Sequence, residues 1–171
     1  MEFKELVKER YSVRKFKPEA VEKETLDKIL ALGNLAPTAK NIQPHRIYVI
    51  QGEENLAALA KLTHCGYGAG TVLLFTYNTD EEWNNPLEDG ISSGIEDVSI
   101  VATHIMLAAK DFGLDTCWCN YFKNSEIEKV FGIPENEKSV LLMPIGYADE
   151  SASPSPMHEA KKDISEIVKY I

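Results

Sequence analysis

The sequence is short of positive charge. It carries 18 Lys and Arg against 27 Asp and Glu, a formal net charge of −9 over 171 residues. That balance repels nucleic acid and anionic lipid surfaces, so neither is an expected partner. Cysteine is scarce too. Cys65, Cys117 and Cys119 are too few and too odd in number for a disulfide framework. A single spacer between Cys117 and Cys119 makes a poor zinc site, and the pair reads as small buried residues sharing one face of a strand. No apolar run is long enough to span a bilayer. Met1-Glu2-Phe3-Lys4-Glu5 has no apolar signal core, so the expected location is cytoplasmic. There is no Gly-x-Gly-x-x-Gly after a strand and no Gly-rich loop ending in Lys-Ser/Thr, so a nucleotide held here is not held by either device.

What is present is an ordinary globular composition, 44% apolar and 26% charged, in a length that suits one domain over 1–171. Apolar spacing predicts a short helix over 2–10 with Phe3, Leu6 and Val7 inward. A second helix is expected over 22–33, stopped by Gly33. A loop punctuated by Pro37 and Pro44 leads into a strand over 46–50, and a helix over 53–62 follows. Residues 71–77 are nearly continuously apolar, the pattern of a strand buried on both faces. Ser93-Gly94-Ile95-Glu96 has capping-box spacing and opens a helix closed by Gly113. That helix is apolar almost all round, so a partner subunit is the expected cover for its second side. An apolar strand or turn spans Asp115 to Phe122. A further capped helix starts at Ser125, and a strand over 139–147 carries Pro144, which predicts an edge or a bulge. Residues 150–160 read as a Ser/Pro-rich exposed linker to a tail bearing Ile164, Ile167, Val168 and Ile171.

Against this acidic background one row stands out. In an extended stretch, Arg10, Ser12 and Arg14 project to the same side. Arginine presents a fixed fork of donors to phosphate oxygens, so the row predicts a site for a small anion. Adjacent His64 and Cys65 suggest a nucleophile and base, a weak reading without a third orienting group.

Arg10-x-Ser12-x-Arg14, followed by Ala36-Pro37-Thr38-Ala39-x-Asn41-x-Gln43-Pro44 before a strand, resembles the nitroreductase family. The likeness continues through Gly113-Leu114-Asp115-Thr116-Cys117-Trp118, Phe131-Gly132-Ile133-Pro134 and Leu142-Met143-Pro144-Ile145-Gly146-Tyr147, in the family's order. The resemblance implies an α+β fold with a mostly antiparallel sheet flanked by helices, in an intertwined homodimer. It implies two flavin mononucleotide (FMN) sites at the dimer interface, each built from both subunits. By position, Arg10 and Ser12 would face the phosphate and ribityl end, Arg14 the N1 edge of the ring, and Tyr11 would also touch the cofactor. Pro37, Thr38, Ala39, Asn41 and Gln43 would come from the second subunit. Asn120 and Tyr121 would lie against flavin N5, and Lys161 or Lys162 would close on the phosphate. The implied activity is hydride transfer from NAD(P)H through flavin N5 to a nitro compound, quinone or similar small electron-poor acceptor, with ping-pong kinetics. Such chemistry asks the protein for position and electrostatics, not for a side-chain acid or base. The alternative is a flavin-binding redox sensor or interaction protein with little turnover.

Overall fold

The computed structural model describes residues 2–171, so the expected domain span of 1–171 begins one residue outside it. Four strands form one antiparallel sheet: β1 (His45–Ile50), β2 (Val72–Asn78), β3 (Asp115–Thr116) and β4 (Glu137–Gly146), in the order β1-β2-β4-β3. β2 is a central strand, which explains its continuous apolar run. Among the described residues the six α-helices are α1 (Phe3–Glu9), α2 (Lys23–Gly33), α3 (Glu53–Leu62), α4 (Gly94–Asp111), α5 (Asn124–Val130) and α6 (Ile164–Ile167).

The period of two along β2 and β4 divides the core. Leu73, Phe75, Leu141 and Met143 face α2 and α4. Val72, Leu74 and Leu142 face the opposite way, toward Leu59, Ile127, Val13 and Phe16. Among the described residues no helix is long and apolar enough to cross a membrane.

Several local expectations change in three dimensions. α2 does end at Gly33, its last helical residue, but without the positive φ of a glycine cap. A Cβ at this position would sit 2.3 Å from Ile105 Cγ1, so glycine here permits close packing of α2 on α4. Ser93 does not cap α4: its hydroxyl donates to Asp97 Oδ2 at 2.7 Å, while Glu82 accepts the Gly94 N–H at 3.2 Å. Nor does Ser125 cap α5, which starts at Asn124 after Lys123.

Pro144 is neither at an edge nor at a bulge. It lies in β4 opposite Val72, with β3 on the other side. The Cys117 N–H donates to the Pro144 carbonyl at 3.3 Å. The reciprocal bond of an antiparallel pair is missing because proline has no N–H. The register nevertheless continues to Cys119, which exchanges two 2.9 Å bonds with Leu142. The bulge falls instead at Val140, because Phe75 pairs with Leu141 and Thr76 with Ser139. The Asn120 amide donates to the Val140 carbonyl at 2.7 Å.

Only Leu6 of the α1 trio is buried; Phe3 and Val7 are exposed, as is Ile95 (60%) on α4. The supposed linker folds back, with a 3₁₀ turn at Pro156–His158 whose Met157 N–H is accepted by Ser155 Oγ. The tail beyond it leaves Ile164, Ile167, Val168 and Ile171 uncovered.

Candidate cofactor site

The cationic row is held in extension by the sheet. Ser12 bridges Thr116 of β3 in parallel, and Val13, fully buried, donates its N–H to the Thr116 carbonyl at 3.1 Å. With Val13 turned inward, alternation turns Ser12 and Arg14 to the other side. Arg14 is exposed and Nη1 donates to the Ser12 carbonyl at 3.3 Å. Arg10 ends α1 half-buried, and its guanidinium meets no acceptor among the described residues.

The C-terminal segment covers this row. A cavity of about 190 Å³ is lined by Tyr11, Ser12, Arg14, Ser155, Met157 and His158. A neighbouring cavity of about 550 Å³ is lined by residues that include Arg10, Lys8, His158 and Lys161. His158 belongs to both, and its ring meets Tyr11 edge-on at 6.2 Å between centroids. Lys161 Nζ donates to the His158 carbonyl. The structure thus gathers Arg10, Ser12, Arg14 and Lys161 around one edge, whereas Lys162 is exposed and lines neither cavity. His158 and Ser155 were not anticipated; the Ser/Pro composition of their segment reads as linker and hides them.

Cys117 was also missed as a neighbour of the row. Its thiol is lowered to about 7, first by a hydrogen bond from Cys119, then by the charge of Arg14, a hydrogen bond from Ser12 and the charge of Arg10, against the opposing effect of burial. The hydrogen bond with Cys117, and then burial, push the Cys119 thiol up.

The loop bearing Pro37, Thr38, Ala39, Asn41 and Gln43 lies elsewhere, against the start of α4. Lys40, Asn41 and Gln43 all have positive φ, at 50°, 56° and 59°. Left-handed backbone costs an L-residue roughly 1–2 kcal/mol, with Asn the most tolerant. Local bonds hold the turn: Asn41 N–H to the Thr38 carbonyl at 2.9 Å, Gln43 N–H to Thr38 Oγ1 at 3.1 Å, and Gln43 Nε2 to the Asn41 carbonyl at 3.2 Å. The Ala39 N–H donates to Asp97 Oδ1 at 2.8 Å. Close by, His45 Nδ1 is buried and has no partner among the described residues. Burial and then Arg46 lower its pKa, with Asp97 opposing.

Asn120 and Tyr121 line a third cavity of about 400 Å³ with Leu62, Phe122 and Lys123. The Asn120 side chain is committed on both ends, accepting from Trp118 Nε1 at 2.8 Å and donating to the Val140 carbonyl. Tyr121 is 76% exposed, and its carbonyl accepts from Thr63 Oγ1 at 2.7 Å. Within one chain the row, the loop and the Asn120 segment therefore occupy separate positions. His64 packs its ring against Tyr67 and Tyr121, and the Cys65 sulfur lies 3.8 Å from Tyr67 Oη. This is aromatic packing, not a nucleophile–base pair.

Comparison with known proteins places this geometry in context. The family model described as the nitroreductase family matches residues 7–67 and 62–147. A solved nitroreductase family protein from Clostridium difficile 630 is 37% identical, covers 99% of this chain and 98% of its own, and superposes with a TM-score of 0.90. A protein from Exiguobacterium sibiricum 255-15, described as a nitroreductase and crystallised in complex with FMN, shares the fold at 24% identity, with 100% and 98% coverage and a TM-score of 0.85. A Staphylococcus haemolyticus protein named NADPH-dependent oxidoreductase is 25% identical over 170 residues, 89% of this chain and 68% of that one. The matched residues run through the cationic row, the left-handed loop and both central strands, and the chain belongs to the nitroreductase family.

Proposed function

We infer that this protein is an FMN-dependent NAD(P)H oxidoreductase acting as a homodimer on small electron-poor acceptors. One observation carries the reading: in a chain of net charge −9, Arg10, Ser12, Arg14 and Lys161 converge on adjoining cavities, with the Arg10 guanidinium unpaired among the described residues. Such a donor set fits a phosphate. The family and the FMN-bound relative supply the rest of the ligand.

Bound FMN would supply hydride transfer between a reduced nicotinamide and the acceptor. The chain's own work is placement and charge. Arg10, Ser12 and Lys161 bind the phosphate end. Arg14 offers a permanent positive charge that stabilises negative charge on a reduced ring. Pro37, Thr38, Ala39, Asn41 and Gln43 serve the flavin of the second copy, and Asn120 and Tyr121 flank the ring. The exposed apolar residues Phe3, Val7, Ile95, Ile164 and Ile167 support the dimer, because each leaves apolar surface in the single chain for a second copy to cover.

The test is an absorbance spectrum of the purified protein before and after NADH or NADPH. The expected result is a flavin spectrum that bleaches on adding one of them. A colourless protein that FMN does not reconstitute overturns the reading. Bound flavin reduced no faster than background turns it into a binding protein without turnover.

A further inference from the structure

We propose that Asp97 is the positioning residue of the flavin site: a buried carboxylate that holds the left-handed loop in the shape in which it meets the cofactor. This rests on the flavin reading above. Asp97 sits in the first turn of α4 and is 2% exposed, with no Lys or Arg paired to either oxygen among the described residues. A buried carboxylate without a counter-ion persists only when hydrogen bonds replace its hydration. Here Oδ1 takes the Ala39 N–H at 2.8 Å and Oδ2 the Ser93 hydroxyl at 2.7 Å. The first bond crosses 58 positions of sequence. It ties the loop to the helix at the residue just before three departures into positive φ within four residues, at Lys40, Asn41 and Gln43.

Strain of this kind persists only where surrounding structure over-determines it. Most other bonds of the turn are internal to it: Thr38 to Asn41, Ala39 to Ile42, Thr38 to Gln43, and Asn41 to Gln43; at its far end Arg46 Nη1 of β1 donates to the Gln43 carbonyl at 3.4 Å, a longer bond than that of Asp97. Internal bonds set the shape of the turn but not its place. Asp97 sets the place, and Ser93 sets Asp97: the Ser93 Oγ also accepts the Trp83 N–H at 3.2 Å, which fixes the hydroxyl's direction toward the carboxylate. Asp97 needs no contact with the flavin. It acts through Ala39, and Ser93 acts through Asp97.

The test compares Asp97→Ala, Asp97→Asn and Ser93→Ala in the full-length protein. FMN affinity is titrated by flavin fluorescence, and amide hydrogen exchange of the segment 34–44 is followed in FMN-free protein. Asp97→Ala is expected to weaken FMN binding about tenfold and to accelerate exchange at Ala39, with the circular dichroism of the helices unchanged. Asp97→Asn retains an amide oxygen for the Ala39 N–H and restores most of both. Ser93→Ala gives a smaller shift in the same direction, and it carries the test if Asp97→Ala fails to fold. Faster exchange with unchanged FMN affinity overturns the link to the cofactor. Unchanged exchange overturns the anchoring itself. If the unsubstituted protein binds no FMN, the functional reading falls and this assignment with it, a result distinct from wild-type binding that the substitutions leave intact.

Discussion

The Arg10–Arg14 row and the Thr38–Gln43 loop are both assigned to one cofactor, yet they acquire their shapes by opposite means. The row is ordinary extended backbone. Val13 is buried, the Val13 N–H is bonded to Thr116, and alternation does the rest. Its information lies in side chains on a regular scaffold. The loop is irregular backbone, with three left-handed L-residues held by side-chain bonds to main chain and by a buried acid on another element. A sheet supplies geometry to any sequence that fits its pleat, whereas a strained turn needs its own supports.

That contrast breaks most sharply at the row. Replacing Arg10 and Arg14 together with Ala removes charge and leaves the backbone pairing in place. FMN affinity should fall about a hundredfold, from about 1.5 kcal/mol per charged hydrogen bond lost. The melting temperature of the FMN-free protein should barely move. An unchanged flavin titration would reject the row as the phosphate site.

Next comes the platform under the loop. Gly33→Ala drives a Cβ to within 2.3 Å of Ile105, a fully buried side chain on α4. Over-packing of this kind costs about 1–3 kcal/mol, measured as a shift of the denaturant midpoint. Because α4 carries Asp97, FMN affinity should drop along with stability, unlike in the arginine variants.

Lys40→Gly sharpens the comparison in the other direction. Lys40 is exposed at φ 50°, so glycine relieves strain at that point. Stability should rise by about 0.5 kcal/mol after the entropic cost of glycine. Glycine at Val13, in the row, should instead destabilise. A loss of stability in Lys40→Gly would mean the left-handed backbone carries no strain.

The last effect is on pH dependence. The Cys117 thiol is lowered to about 7 in the fold, below its ordinary value of 9.0, chiefly by the hydrogen bond from Cys119 and then by Arg14. A depressed folded pKa adds stability above the unfolded value and loses it as pH falls through the folded one. Stability should therefore climb between about pH 7 and 9, and Cys117→Ala should flatten that rise in urea titrations at several pH values. A slope that survives the substitution would assign it to another group.

These differences also explain what the sequence discloses. β2 and β4 are legible because their burial is written in runs of apolar residues, and the row is legible because alternation needs no partner to be recognised. Ser93 misleads. Ser-x-x-Glu spacing specifies a cap only if no stronger acceptor lies nearby, and Asp97 is one turn further along the same helix. Gly33 reads as punctuation because the approaching Ile105 is remote in sequence. His158 and Ser155 read as linker because the cavity they line with Tyr11 and Ser12 joins opposite ends of the chain. Asp97 itself is one acid among 27 acidic residues, and burial, which it shares with Glu137, sets it apart.

Pro144 extends this point to the boundaries of the elements. β3 ends after two residues even though residues 117–119 keep its register against β4. The interruption is written in the neighbouring strand, where the imino nitrogen supplies no donor to the Cys117 carbonyl. That carbonyl instead meets the Cys119 thiol, 3.6 Å away. One missing hydrogen in β4 thus ends β3 early and leaves a sulfur where a ladder rung would be. The length of a strand here belongs to the pair and not to the segment, and a scale that scores one segment at a time has no access to it.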